Sequence, residues 1–270
     1  MLNNITLGQY YPVDSPVHRL DPRIKIILTL CLIVSVFMIH TLLGYALMLL
    51  FVMLISRLSH VPVKVMLRGL KPLRFILILT FLLNLFFTSG ETLWSVWIIE
   101  ITREGLRQAV HYSLRLIFLV LSTSLMTLTT SPIALSDGME LLLSPLKVIH
   151  FPAHELAMMM SIALRFIPTL MEETDKIMKA QMARGADFES GNLLNRAKAM
   201  IPLLVPLFVS AFRRAGDLAM AMEARCYHGG EHRTRLRVLR IGRNDVIACL
   251  IVAALLALII LEGIFVPTLL

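Results

Sequence analysis

Two arginines are the residues of this chain best suited to chemistry with a partner. One ends the run Lys179-Ala-Gln-Met-Ala183-Arg184-Gly185, the other the run Met220-Ala-Met-Glu-Ala224-Arg225-Cys226. A guanidinium stays charged at any working pH, and its planar fork pairs with a carboxylate through two parallel hydrogen bonds. Spacing adds direction. Ile177, Gln181 and Arg184 follow i, i+4, i+7, and so do Leu218, Met222 and Arg225. Each arginine therefore continues a mostly apolar line on one helical face, where a charge serving only solubility belongs on the other side. An arginine at the tip of an apolar face suits docking into an acidic pocket. Ordinary capping explains part of the pattern as well: Arg favours the negative end of a helix dipole, and Gly the left-handed position that follows.

Other chemistry is poorly served. A phosphate-binding loop needs a Gly-Lys pair, and the sequence has none. His154-Glu155 lacks the second histidine of a zinc-hydrolase helix. The run Cys226-Tyr-His228-Gly-Gly-Glu-His232 offers one thiol and two imidazoles, but at odd spacing and without a fourth ligand, so it reads as a polar loop. The apolar spans hold no paired carboxylates for acid–base work. No catalytic residue, no metal site and no cofactor bound by this chain are expected.

The elements that position the arginines follow from composition. Of 270 residues, 57% are hydrophobic and only 16% charged, and the mean hydropathy is +0.77, which indicates a membrane protein. Five segments suit a bilayer crossing, which needs about 20 apolar residues. They run from Ile24 to His40, Leu42 to Leu58, Leu73 to Thr88, Leu114 to Thr130 and Val246 to Val266. Each must be helical, because lipid leaves backbone groups no other partner. Asp21-Pro22 marks the start of the first, with Asp as N-cap. No secretory signal is read at the start, and three scattered cysteines do not make a disulfide framework. The net charge of +8 does not imply nucleic acid, since the basic residues crowd beside the spans. Arg57, Lys64, Arg68, Lys71 and Arg74 come with no acid between them, whereas the loop 89–113 mixes signs. The positive-inside rule then expects the N-terminus and residues 131–243 in the cytoplasm and the C-terminus outside.

The expected fold is thus an all-α integral membrane protein of about five transmembrane helices with a cytosolic arm. Residues 1–130 hold four spans, 131–243 form the arm and 244–270 the last span. Within the arm, 153–184 and 193–225 read as long amphipathic helices, kinked or interrupted at Pro168, Pro202 and Pro206. The first carries Ile167, Leu170, Met171, Thr174 and Met178 on one face. The second carries Leu204, Leu207, Phe208, Ala211, Ala215, Leu218, Ala219 and Met222. The arm is also rich in methionine, which fills core gaps and also suits surfaces that accept several partners. Met158, Met159, Met160, Met171 and Met178 are the candidate contacts with a membrane partner.

The sequence resembles the transmembrane T subunit of energy-coupling factor (ECF) transporters, the vitamin and metal importers of prokaryotes. The resemblance rests on Gly8-Gln-Tyr-Tyr-Pro-Val-Asp-Ser-Pro-Val-His-Arg-Leu-Asp-Pro-Arg23 and Ala163-Leu-Arg-Phe-Ile-Pro168. It rests further on Ala180-Gln-Met-Ala-Arg-Gly-Ala-Asp187 and on the run from Arg213 to Arg225. It implies a non-catalytic coupling subunit in a prokaryotic cell membrane. Two ABC-type ATPases, which use ATP and Mg, would dock on the motifs Ala183-Arg184-Gly185 and Ala224-Arg225-Cys226. A separate substrate-binding membrane subunit, one or several alternative ones, would be held by the rest of the arm and the spans. Glycine is usual where Cys226 stands, so the backbone just after Arg225 is in question. The alternative is a stand-alone secondary transporter or channel. Such proteins place ionisable groups near the bilayer midplane, and the spans here offer only Asn84, a few hydroxyls and Glu262.

Overall fold

The structure is a computed structural model describing residues 10–96, 99–149, 151–186, 188, 193–229, 239 and 241–265. Asp21 opens α1 (Pro22–Met38): its carboxylate accepts from the Arg23 N–H at 2.9 Å, and Pro22 takes the first position, where no N–H is needed. A three-residue turn leads to α2 (Leu42–Leu58), capped by Thr41, whose hydroxyl accepts from the Gly44 N–H. Short α3 (Val63–Arg68) and apolar α4 (Arg74–Phe87) follow.

The loop after α4 holds a small addition to the expected all-helical architecture. Strands β1 (Thr92–Val96) and β2 (Ile99–Thr102) form an antiparallel ribbon, with a register irregularity between Thr92 and Trp94. Thr102 closes it: its hydroxyl donates to the Thr88 carbonyl at 2.8 Å and accepts from the Gly105 N–H at 3.0 Å, capping α5 (Arg103–Thr129). That cap starts the fourth span eleven residues before Leu114, where hydropathy alone begins to rise. Next come α6 (Pro132–Leu143), a 3₁₀ turn (Ser144–Ile149), α7 (Ala153–Ala183), α8 (Leu193–Ala224) and α9 (Arg243–Phe265).

The described residues divide into two units, one within 10–138 and 239–265, the other within 139–229. In the membrane unit α5 is central. Its Phe118, Leu121, Leu125 and Leu128 pack with Leu32 and Val36 of α1, Tyr45, Met48 and Phe51 of α2, and Val252, Leu255 and Ile259 of α9. The outer faces stay apolar, with Phe75 74% and Phe87 82% exposed, a surface only lipid or another apolar protein can cover. Helices α5 and α9 are long and apolar enough to cross a membrane, and α2 and α4 are shorter apolar helices.

The N-terminal motif proves structural here. The Tyr11 N–H donates to the Leu128 carbonyl at 2.9 Å, and His18 Nε2 meets the Tyr11 carbonyl at 3.0 Å. Lys25 Nζ donates to the carbonyls of His18 and Thr129 at 3.1 and 2.8 Å. The Asp21 N–H donates to Asp245 Oδ1 at 2.8 Å, while Asp245 Oδ2 accepts from the Gly242 N–H at 2.7 Å. Asp21, Lys25 and Asp245 are buried, so one polar cluster ties the start of α1 to the end of α5 and the start of α9. Burial of the His18 ring holds its pKa below the usual histidine value.

Candidate functional site

In the arm unit α7 and α8 pack against each other in opposite directions. Gln181 Nε2 donates to the Pro202 carbonyl at 3.4 Å, and Ser210 Oγ donates to Glu173 at 3.0 Å. Arg214 pairs with the same carboxylate, and these bonds hold the Glu173 carboxyl below the usual value. Ile162 and Phe166 share a small cavity with Leu218, Ala219 and Met222. Neither helix is interrupted at its prolines: α7 runs through Pro168 and α8 through Pro202 and Pro206. All three prolines lie on exposed positions, where a freed carbonyl can take water and the packed stripe carries the helix across.

Both helices end in the same hydrogen-bond pattern. In α7 the Gly185 N–H donates to the Met182 carbonyl at 2.9 Å and the Ala186 N–H to the Gln181 carbonyl at 3.0 Å. In α8 the Cys226 N–H donates to the Glu223 carbonyl at 2.8 Å and the Tyr227 N–H to the Met222 carbonyl at 3.0 Å. Each is a Schellman cap with arginine at the C-cap and a left-handed residue next. Gly185 takes φ 90° and Cys226 φ 54°. Cys226 thus adopts the conformation glycine favours, at a cost of about 1 kcal/mol for a residue with a Cβ.

Ala183, Arg184, Gly185, Ala224, Arg225 and Cys226 are all exposed. Among the described residues neither guanidinium meets a carboxylate. The opposed directions of α7 and α8 set the two tips at opposite ends of the pair. Most of the 32-residue α8 separates them, roughly 40 Å at about 1.5 Å per residue. Leu218 and Met222 are half-buried and line cavities shared with α7, so the apolar line leading to Arg225 is spent on helix packing. A second α8 face remains exposed: Ile201, Leu204, Val205, Phe208, Val209 and Phe212. Of the candidate methionines, Met159 and Met160 are exposed, Met171 and Met178 half-buried, and Met158 lines a cavity beside Arg225. His228 is exposed, whereas Glu231 and His232 lie outside the described residues, as does Asp187.

That cavity, about 610 Å³, brings in a residue the sequence reading gave no role. Arg165 of α7 lines it together with Arg225, over an apolar floor of Met158, Ile162, Leu218 and Met222. The signal was present. Met158, Ile162 and Arg165 repeat the i, i+4, i+7 order of Leu218, Met222 and Arg225, and antiparallel packing brings the two series to one place.

Comparison with known proteins matches residues 14–236 to the family CbiQ, described as cobalt transport protein. The chain is 58% identical to the energy-coupling factor transporter transmembrane protein EcfT of Thermosediminibacter oceani, over 95% of this chain and 96% of that one. It is 55% identical to the EcfT of Acidaminococcus fermentans, over 96% and 97%. With the EcfT of Bacillus subtilis it shares 50% identity, over 95% and 98%. A bundle of apolar helices carrying a long helical pair with two arginine tips therefore belongs to the family of energy-coupling factor transporter transmembrane proteins.

Proposed function

We propose that this chain is the coupling subunit of an ATP-driven importer of a vitamin or other micronutrient. Two ABC-type ATPases, with ATP and Mg in their own sites, dock on the Arg184 and Arg225 tips. A substrate-binding membrane subunit rests on the exposed apolar face of α8 and the adjoining methionines. ATPase closure moves the tips, and α7 and α8 pass that motion to the substrate subunit. The arm and the N-terminus lie in the cytoplasm and the C-terminus outside.

One observation supports this reading above the others. Two helix ends far apart in sequence carry the same six-residue cap and present an exposed arginine at opposite ends of one packed pair. Capping needs no arginine, and a solubilising charge needs no such repetition. Two copies of one site suit two copies of one kind of partner. Arg165, beside Arg225, gives the second tip a doubly basic mouth.

The test is co-purification of the tagged full-length chain from its own membranes. Two ATPases and a small hydrophobic protein are expected with it. The change Arg184→Glu with Arg225→Glu should release both ATPases, each tip losing on the order of 2–5 kcal/mol of binding. Uptake that survives the double change, or full uptake by the chain alone, defeats the proposal.

A further inference from the structure

A second basic site lies in the membrane unit. The turn joining α1 to α2 links two apolar helices, so it must reach a membrane boundary. Beside it a cavity of about 330 Å³ opens between His40, Thr41 and Leu42 and the first turns of α5. Its floor is apolar, built by Leu42, Leu106 and Val110. Among the described residues its charged lining is wholly basic: Arg103 and Arg107 stand one turn apart, and no carboxylate lines the cavity. Arg107 is half-buried, and among the described residues neither arginine has an ion pair. The N-terminal end of α5 adds partial positive charge at the same place.

We propose that this cavity binds an anionic phospholipid. The phosphodiester pairs with Arg103 and Arg107, the glycerol fills the cavity, and the acyl chains run out over exposed Leu42 and Leu106. A free inorganic anion would satisfy the arginines but leave the apolar floor wet. A neutral lipid would cover the floor but leave two cations at the membrane boundary without a counter-charge. An anionic amphiphile meets both demands. The site holds whether or not the arm docks ATPases, because none of its described lining residues belongs to α7 or α8.

The test uses the full-length chain, with whatever co-purifies, in phosphatidylcholine nanodiscs doped with phosphatidylglycerol carrying a photoreactive acyl chain. Illumination should label peptides containing residues 40–45 and 103–111. The variant Arg103→Gln with Arg107→Gln should lose roughly thirtyfold of that labelling, about fivefold per arginine. The pair Arg103→Lys with Arg107→Lys should retain most of it. Photoreactive phosphatidylcholine should label these peptides weakly, and excess inorganic phosphate at matched ionic strength should not compete. Equal labelling by phosphatidylcholine, or undiminished labelling in the glutamine pair, overturns the proposal. Full competition by phosphate overturns the lipid as source in favour of a free anion. Should the glutamine pair fail to assemble, the lysine pair and the comparison of the two lipids on the wild-type chain still decide.

Discussion

The membrane unit and the arm use charge in opposite ways. In the membrane unit Asp21, Lys25 and Asp245 are buried, and each is occupied by hydrogen bonds that tie three helix ends together. In the arm Arg184 and Arg225 stand exposed on well-capped helix ends and meet no carboxylate among the described residues. A buried charge costs desolvation that only its partners offset, so it reports on folding. An exposed arginine on a capped end adds little to folding, so its placement reports on something outside the chain. The arm has its own internal pair, Glu173 with Arg214, which shows that its helices can use an arginine structurally where packing needs one.

The contrast can be broken experimentally. The largest effect is expected at the buried cluster. Asp245→Ala strands the Asp21 and Gly242 amides and removes a buried charge from the cluster, and should lower the stability of the detergent-solubilised chain by about 3–5 kcal/mol. Arg225→Glu should leave thermal unfolding almost unchanged. Equal shifts in melting temperature would erase the distinction between the two regions.

Next comes Arg165→Glu, which should weaken ATPase binding by about 1–3 kcal/mol. Combined with Arg225→Glu it should cost less than the two changes added, because both side chains line one cavity. Strict additivity in co-purification yields would mean that Arg165 serves elsewhere. A smaller effect is expected at Cys226. Cys226→Gly relieves the left-handed strain and should slow hydrogen exchange at the Tyr227 amide by up to about 1 kcal/mol. Gly185→Ala should do the reverse at the Ala186 amide.

The smallest effect is a pH dependence of the α7–α8 pairing. Arg214 and Ser210 hold the Glu173 carboxyl below its ordinary value of 4.5, so the folded arm binds fewer protons there than the unfolded chain. The contribution is complete above that value and is lost as the pH falls through the lowered one. Hydrogen exchange along α7 and α8 should therefore quicken only on acidification below the ordinary carboxylate range. Glu173→Gln should abolish that dependence.

Much of the fold was legible because lipid imposes a simple rule. The five apolar runs are the helices α1, α2, α4, α5 and α9, and Asp21-Pro22 opens α1 as expected. The arm helices were legible from their 3.6-residue periodicity. Pro168, Pro202 and Pro206 left open whether those helices were bent or broken; both run through, since a proline forbids one hydrogen bond locally while long-range packing holds the rest. The ribbon before α5 was not legible, since its capping bonds from Thr102 reach across fourteen residues to Thr88.

The sequence by itself determined that this is a helical membrane protein, that two arginines end two arm helices, and that they share one spacing. These are local matters of hydropathy and periodicity, which depend on neighbours within a few turns. Only the tertiary structure decided what each line of residues faces. Periodicity marks a stripe as apolar but not whether a helix or a partner covers it. Leu218 and Met222 proved to face α7, while Phe208 and Phe212 remain uncovered. The same holds for Arg165, 60 positions from Arg225 in the chain, which reaches the same cavity only because α7 and α8 run in opposite directions.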